Sequence, residues 1–140
     1  MKRFAVALAF ACLFQPVGAM VRGTTDLGRS YLSGGVGAEE MGTLNNERGQ
    51  YALSILTASK GSGAYLADVR IRITDQQSRQ VLDTVMDGPW LLVDLPAGRY
   101  LVEAVHGEVL KKIAVALGAG DHRQTVFYFD THDQVEELTP

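Results

Sequence analysis

The side chains of this chain best suited to metal chemistry are histidines with nearby carboxylates, and they form two groups. One group is Asp121 with His122, and the other is Asp130, His132 and Asp133. A metal site needs three or four ligands held in fixed geometry by surrounding contacts. The first group offers too few ligands, and the second lies in a polar end segment without the pattern of a regular element. We therefore expect no metal site and no cofactor.

The acidic pairs and the serines do not predict catalysis either. General acid and base carboxylates need a cleft that separates their pKa values, whereas Glu39 and Glu40 begin a predicted helix and Glu136 and Glu137 lie in the end segment. None of the serines stands in a Gly-x-Ser-x-Gly motif. His106 falls in a predicted hairpin turn, where a structural role is expected. The chain is predicted not to be an enzyme.

Aromatic and cationic side chains on predicted strands could bind a ligand, but packing explains most of them. Those that could stack on a ligand are Trp90, Tyr100, Phe127, Tyr128 and Phe129. Aromatics at alternate strand positions mostly fill the space between two sheets. Tyr128 is the exception, because it faces outward if its two neighbours face inward. Arg70 and Arg72 fit either an acidic partner or a solvated strand face.

The N-terminus has the pattern of a secretory signal peptide. Lys2 and Arg3 precede an uninterrupted apolar run over residues 4–14, and small residues follow it. The run is too short for a membrane span, which needs about 20 apolar residues. We expect residues 1–19 to be cleaved after Ala19, so that the mature chain is periplasmic or secreted and has no membrane span. A buried N-terminal element and a lipoprotein anchored at Cys12 are weaker alternatives.

Charge and cysteine content exclude further classes. Cleavage would remove Lys2, Arg3 and the single cysteine, which leaves 11 Lys plus Arg against 16 Asp plus Glu and a net charge near −5. Nucleic-acid binding depends on a basic patch that releases phosphate counterions, so no nucleic-acid partner is expected. Without disulfides, a domain of about 80 residues is close to the lower limit of independent stability. The segment from Met20 to Gly49, or a partner, is therefore expected to pack partly on the domain.

The pattern along the chain predicts an all-β fold with one short helix. Residues 20–37 are rich in Gly, Ser and Thr and predict a flexible leader, whereas residues 38–48 have acids early and Gly49 late, as helices do. From Gln50 onward the period is two, with turns every eight to twelve residues. The clearest strand alternates Val69, Ile71 and Ile73 with outward polar residues.

Later strands follow the same pattern, with one register left open. Residues 80–86 predict a strand with Val81 and Val85 on one face, residues 90–95 predict a strand covered on both faces, and residues 123–129 predict the last strand. Around His106 and Gly107, a two-residue turn would pair Tyr100 with Ile113. A three-residue turn would pair Leu101 with Ile113 instead, and the two registers differ in which face each side chain takes.

Three motifs carry a resemblance to a known family. They are Asp68-Val69-Arg70-Ile71-Arg72-Ile73-Thr74-Asp75, Asp87-Gly88-Pro89-Trp90 and Asp94-Leu95-Pro96-Ala97-Gly98-Arg99-Tyr100. With them the chain resembles carboxypeptidase regulatory-like domains, members of the transthyretin-like group, over roughly residues 51–130. The resemblance implies a seven-stranded antiparallel Greek-key β-sandwich and a non-catalytic role. A related hydrolase that opens hydroxyisourate rings ends in Tyr-Arg-Gly-Ser, whereas this chain ends in Glu-Leu-Thr-Pro, so that activity is not expected.

Together these expectations divide the chain into four parts and give it a binding role. The parts are a signal peptide over 1–19, a flexible leader and short helix over 20–50, the sandwich over 51–130 and an acidic tail over 131–140. The predicted function is that of an exported accessory module that contacts a protein partner through strand edges and loops. A periplasmic carrier or sensor of a small molecule or metal is the alternative, and a small hydrolase is the third.

Overall fold

Two β-sheets and one α-helix make up the part of the chain that the structure, a computed structural model, describes, residues 20–130. One sheet has five strands in the order β1-β2-β6-β3-β9, and the other has four in the order β5-β4-β7-β8. We refer to them as sheet A and sheet B. This confirms the expected all-β, two-sheet architecture with a short helix. The expectation that the strands would all be antiparallel is wrong, because β9 pairs with β3 in parallel. The predicted signal peptide and acidic tail lie outside the described residues.

The strands and helices have the following bounds. The strands are β1 (Val21–Thr24), β2 (Ser30–Gly34), β3 (Leu53–Ser59), β4 (Arg70–Asp75), β5 (Gln80–Val85), β6 (Trp90–Val93), β7 (Gly98–His106), β8 (Val109–Leu117) and β9 (Arg123–Phe129). Helix α1 is Gly37–Glu47, and a 3-10 turn at Arg48–Gln50 follows it. Neither helical segment in residues 20–130 is long and apolar enough to cross a membrane.

The main core lies between the sheets, where the alternating strands direct their apolar side chains. Ile71 and Ile73 of β4 are fully buried and Arg70 and Arg72 are exposed, as the alternation predicts. Every residue of β6 is buried because this strand lies between β2 and β3 and is covered on both faces. A second apolar cluster lies on the outer face of sheet A beneath α1 and comprises Leu32, Leu44, Tyr51, Trp90 and Leu92.

The prediction of a flexible leader over residues 20–37 is wrong. These residues form the antiparallel hairpin β1–β2, and β2 adds to β6 at the edge of sheet A. Its glycines serve the hairpin rather than break it. The ring of Tyr31 lies where a β-carbon of Gly23 would be, and Gly28 takes the positive φ of 73° that the turn requires.

Neither of the two registers considered for the β7–β8 hairpin is correct. The strands pair Tyr100 with Val115 and His106 with Val109, and the turn consists of Gly107 and Glu108. Gly107 has a φ of 60°, which favours glycine in a two-residue turn. Both proposed registers would have ended the strands too early, before the His106 pair.

A β-bulge in β5 changes which of its side chains are buried from those that the sequence predicted. The register shifts between Ile73 and Thr74 of β4, so that Val81 has no direct partner there. An extra residue in one strand reverses the alternation locally. As a result Val81 and Leu82 are both buried, whereas Val85 is 51% exposed. Val81 and Val85 therefore do not share a face, contrary to the prediction.

Candidate binding surfaces

The Leu95-Pro96-Ala97-Gly98-Arg99-Tyr100 motif forms a rigid turn at the end of the sandwich. The phenol hydroxyl of Tyr100 donates a hydrogen bond of 2.7 Å to the carbonyl of Pro96, four residues upstream. Tyr100 is 6% exposed, and this burial raises the pKa of its phenol. The hydrogen bond gives the buried hydroxyl a partner while the ring packs in the main core. The motif thus has a structural function that accounts for its residues.

Two shallow clefts flank this turn. The first has a volume of about 260 Å³ and lies against Arg29, Asp94 and His122. The second, of about 280 Å³, lies against Asp75, Arg79 and Tyr100. Pockets for drug-sized ligands measure about 300–1,000 Å³ and are mostly apolar. Both clefts are smaller than that range, and ion pairs occupy their walls.

Those ion pairs engage the polar groups that could otherwise meet a ligand. Arg29 lies 3.3 Å from Asp94 in the first cleft. In the second, Asp75 accepts hydrogen bonds from the backbone N–H groups of Gln77 and Arg79 and from Arg79 Nε. These bonds, the backbone N–H of Arg79 above all, lower the pKa of Asp75. The carboxylates are therefore structural, since their oxygens already hold the loops.

The two histidines within residues 20–130, His106 and His122, do not converge on a site. His122 Nδ1–H donates a 2.8 Å hydrogen bond to the carbonyl of Tyr51, which fixes its ring. Asp121 accepts from the N–H of Gly118, so its carboxylate closes the β8–β9 loop. The ring of His106 lies 5.5 Å from that of Phe129. Within residues 20–130, no three His, Cys, Asp or Glu side chains are grouped to hold a metal; His132 and Asp133 are outside that range.

The outer face of sheet B bears a row of alternating charges. Direct pairing places Asp83, Arg72, Glu103 and Lys112 side by side across β5, β4, β7 and β8. Arg70, in the next row, donates two hydrogen bonds of 2.7 and 2.8 Å to Asp83. These bonds lower the pKa of Asp83. Opposite charges on adjacent strands stabilise the sheet modestly, so this face is explained without a ligand.

One long side of the sandwich is covered by the N-terminal segment, and we call it the covered side. The N–H of Asp26, in the β1–β2 turn, donates to the carbonyl of Val81 on edge strand β5 at 2.8 Å. The N–H of Asp87 donates to the hydroxyl of Ser33 at 2.9 Å. Arg22 of β1 forms a bidentate ion pair with Glu47 of α1. The hairpin is thus tied to both sheets and to the helix.

At the end of the helix a cation packs on an aromatic ring, and one buried N–H group of each lacks a hydrogen-bond partner. The guanidinium of Arg48 lies 4.5 Å from the centre of the Trp90 ring. Among the described residues, Arg48 Nε and Trp90 Nε1 are buried without a hydrogen-bond partner. Stacking favours this contact, whereas each unpaired buried donor costs stability. The helix therefore covers sheet A with less stabilisation than its burial alone would give.

The opposite long side, formed by β8 and β9, is not covered by any described element, and we call it the open side. β8 pairs with β7 and β9 pairs with β3, and neither has a second partner strand among the described residues. Counting from the His106–Val109 pair, alternate backbone groups of β8 point away from β7. These belong to Leu110, Lys112, Ala114 and Ala116. An exposed edge of this kind is where a further strand can add.

The sequence predicted part of this arrangement. The outward position of Tyr128 is confirmed, since it is 52% exposed while Phe127 and Phe129 are buried. Tyr65, 59% exposed, was missed because it lies in a Gly-rich loop without strand periodicity. The residues of β8 also do not show that it is an edge strand, because the order of the strands in the sheet decides which of them lie at an edge.

The comparisons with other proteins gave no relative. No family model, no curated protein and no solved structure matches this chain.

Proposed function

We propose that this chain is an exported, non-enzymatic accessory module that binds a protein partner by strand addition at the open side. The observation that carries the proposal is the edge of β8. This strand has nine residues, and its outward backbone groups at Ala114 and Ala116 belong to exposed positions. A partner segment that adds there would gain main-chain hydrogen bonds along the strand.

The carboxypeptidase regulatory-like, seven-stranded Greek key belongs to the same proposal. Strands β3 to β9 number seven, and the β1–β2 hairpin is then an addition to them. In support, β7 follows β6 of sheet A and returns to sheet B beside β4, as the fourth strand of a Greek key returns to lie beside the first. The hydrogen bond from Tyr100 to Pro96 explains the structural role of the motif from Leu95 to Tyr100, which is one of the three motifs that carry the resemblance. Export to the periplasm or outside the cell rests on residues 1–19.

Site-specific crosslinking in an envelope fraction tests the proposed contact. A photoreactive residue at Ala114 should yield one discrete protein adduct, and the same residue at Asn46, exposed on α1, should not. Ala116→Pro removes an N–H from the open edge and should reduce the adduct at least fivefold. Ala116→Ser keeps that N–H and should leave the adduct unchanged.

The thermal midpoint of each variant shows whether it folds. If Asn46 gives the same adduct as Ala114, or if Ala116→Pro retains the adduct in a folded protein, strand addition at β8 is wrong. A large rise in thermal midpoint with a metal ion or a small metabolite, without any protein adduct, would favour the carrier function instead.

A further inference from the structure

Tyr65 and Tyr128 lie in one row on the outer face of sheet A, with Ala58 between them. Ala58 of β3 pairs with Tyr128 of β9 on one side and with Tyr65 on the other. The Tyr65 pairing is held by hydrogen bonds from Leu66 N–H to the Thr57 carbonyl and from Ser59 N–H to the Ala64 carbonyl. Directly paired residues share a face, so both phenol rings rise on the same side as Ala58.

The two rings flank a small apolar floor. Tyr65 and Tyr128 are 59% and 52% exposed, whereas Ala58 is only 3% exposed. Neighbouring strands are about 4.8 Å apart, which puts the two tyrosines about 9.6 Å apart across β3. Side chains on strands stand roughly perpendicular to the sheet. The result is a pair of aromatic walls with room between them for a non-aromatic group.

On one side of this pair, toward the beginning of β3 and β9, the surface is uncharged, in contrast to the outer face of sheet B. The outward residues on the adjoining part of β3 and β9 are Ser54, Leu56, Gln124 and Val126. The corresponding face of sheet B carries Asp83, Arg72, Glu103 and Lys112 in one row. A ligand whose contact face is neutral and apolar therefore fits this side of the pair, whereas the exposed Lys60 and Asp130 lie beyond Ala58 and Tyr128 on the other side. The net charge of −3 favours basic residues outside that contact face.

We propose that the tyrosine pair binds a proline-rich peptide segment in the polyproline II conformation. One turn of that helix has three residues and rises about 9.3 Å, which matches the spacing of about 9.6 Å between the tyrosines. Prolines three residues apart would each pack against one ring. The backbone of this helix has no internal hydrogen bonds, so its carbonyls accept from the tyrosine hydroxyls. Aromatic-lined surfaces recognise such segments in this way.

This site goes beyond the proposed strand addition, because it lies on sheet A and the β8 edge belongs to sheet B. Fluorescence polarisation tests it with labelled peptides that carry proline at every third position and arginine at one end, in both chain directions. Binding should be saturable at micromolar concentration. The matched peptides with alanine in place of proline should bind at least tenfold more weakly.

Three substitutions in the protein assign the site. Tyr65→Ala and Tyr128→Ala should each weaken peptide binding at least tenfold, and Tyr128→Phe, which removes only the hydroxyl, should weaken it less. Val85→Ala, at an equally exposed position on β5, should leave binding unchanged. Because the tyrosines are more than half exposed, these variants should keep their thermal midpoints within a few degrees.

Several outcomes would overturn the proposal. They are the absence of binding by every proline-rich peptide, equal binding by the folded tyrosine variants, and equal binding by the alanine peptides. Saturable binding of soluble β-linked oligosaccharides that depends on both tyrosines, without peptide binding, would show that the pair is a sugar platform. None of these outcomes depends on whether a partner adds to β8.

Discussion

Strands β5 and β8 are the two edges of sheet B, and they differ in whether another part of the chain covers them. On the covered side, the turn of the β1–β2 hairpin donates a hydrogen bond to Val81 of β5, and the hairpin itself extends sheet A. On the open side, β8 is longer, and Lys112 is a charged residue on its outward face. Covering an edge and placing lysine on it are both known ways to prevent unwanted pairing. The comparison shows that the N-terminal hairpin covers one side of the sandwich, whereas the open side has no covering element among residues 20–130.

The largest expected effect comes from paired leucine truncations on the two sides. Leu32, in β2 on the covered side, is fully buried, whereas Leu110 at the open edge is 49% exposed. Leu32→Ala should lower the free energy of unfolding by about 2–5 kcal/mol, because it leaves a cavity under the helix. Leu110→Ala should change it by no more than about 0.5 kcal/mol. Urea unfolding of both variants measures this difference.

If Leu110→Ala destabilised the protein as much as Leu32→Ala, the open side would be packed against something. The comparison between the two sides would then fail. A change in the slope of unfolding free energy with urea would indicate a change in compactness rather than in packing.

A pair of glycine substitutions probes how closely the covered side is packed. A β-carbon on Gly88 would lie 2.4 Å from the carbonyl oxygen of Gly34, where the β5–β6 loop meets β2. Gly88→Ala should therefore cost about 1–3 kcal/mol. Gly42 in α1 has no atom within 4 Å of the corresponding position. Gly42→Ala should stabilise the helix by about 0.5–1 kcal/mol.

Thermal denaturation of the two glycine variants shows whether each substitution raises or lowers the stability of the fold. The midpoint should fall for Gly88→Ala and rise for Gly42→Ala. Equal shifts in the same direction would mean that close approach to Gly34 does not hold the loop against β2.

The sequence predicted the strands in which buried and exposed residues alternate. It did not predict the strands that are held by contacts with residues distant in sequence. β4 was found because Ile71 and Ile73 alternate with Arg70 and Arg72, and β9 was found because Phe127 and Phe129 alternate with Val126 and Tyr128. β1 and β2 were missed because their glycines, Gly23 and Gly34, allow close contact with Tyr31 and Met20. Such contacts are formed by residues distant in sequence, so a local pattern cannot distinguish a close approach from a break.

The hairpin register and the binding surfaces show the same limit. Glu103 faces Lys112, and the two side chains come within 3.7 Å. The sequence also offers Lys111 as a partner one residue away, and only the position of the turn separates the two. Tyr128 was placed outward by its buried neighbours, but its pairing in a row with Tyr65 depends on the loop after β3. Sequence therefore predicted the exposed face of Tyr128 but not the pair.

The smallest expected effect is a pH dependence that distinguishes the covered side from the outer face of sheet B. The two hydrogen bonds from Arg22 lower the pKa of Glu47 below its ordinary value of 4.5. A carboxyl with a lowered folded-state pKa stabilises the fold above its unfolded pKa and loses that contribution as the pH falls through the folded-state value. Glu47→Gln should lower stability by about 0.2–1 kcal/mol at pH 7, as for exposed ion pairs, and by nothing once the wild-type carboxyl is protonated.

Hydrogen exchange locates that effect. Because Glu47 joins α1 to β1, Glu47→Gln should speed exchange of the β1 amides at neutral pH. Asp83→Asn breaks an ion pair between β4 and β5, which are already held by their backbone ladder, and should leave β1 exchange unchanged. If both variants altered β1 equally, the hairpin would not be anchored through Glu47. Its contact with β5 would then rest on the hydrogen bonds of Asp26 with Val81 and Gln80.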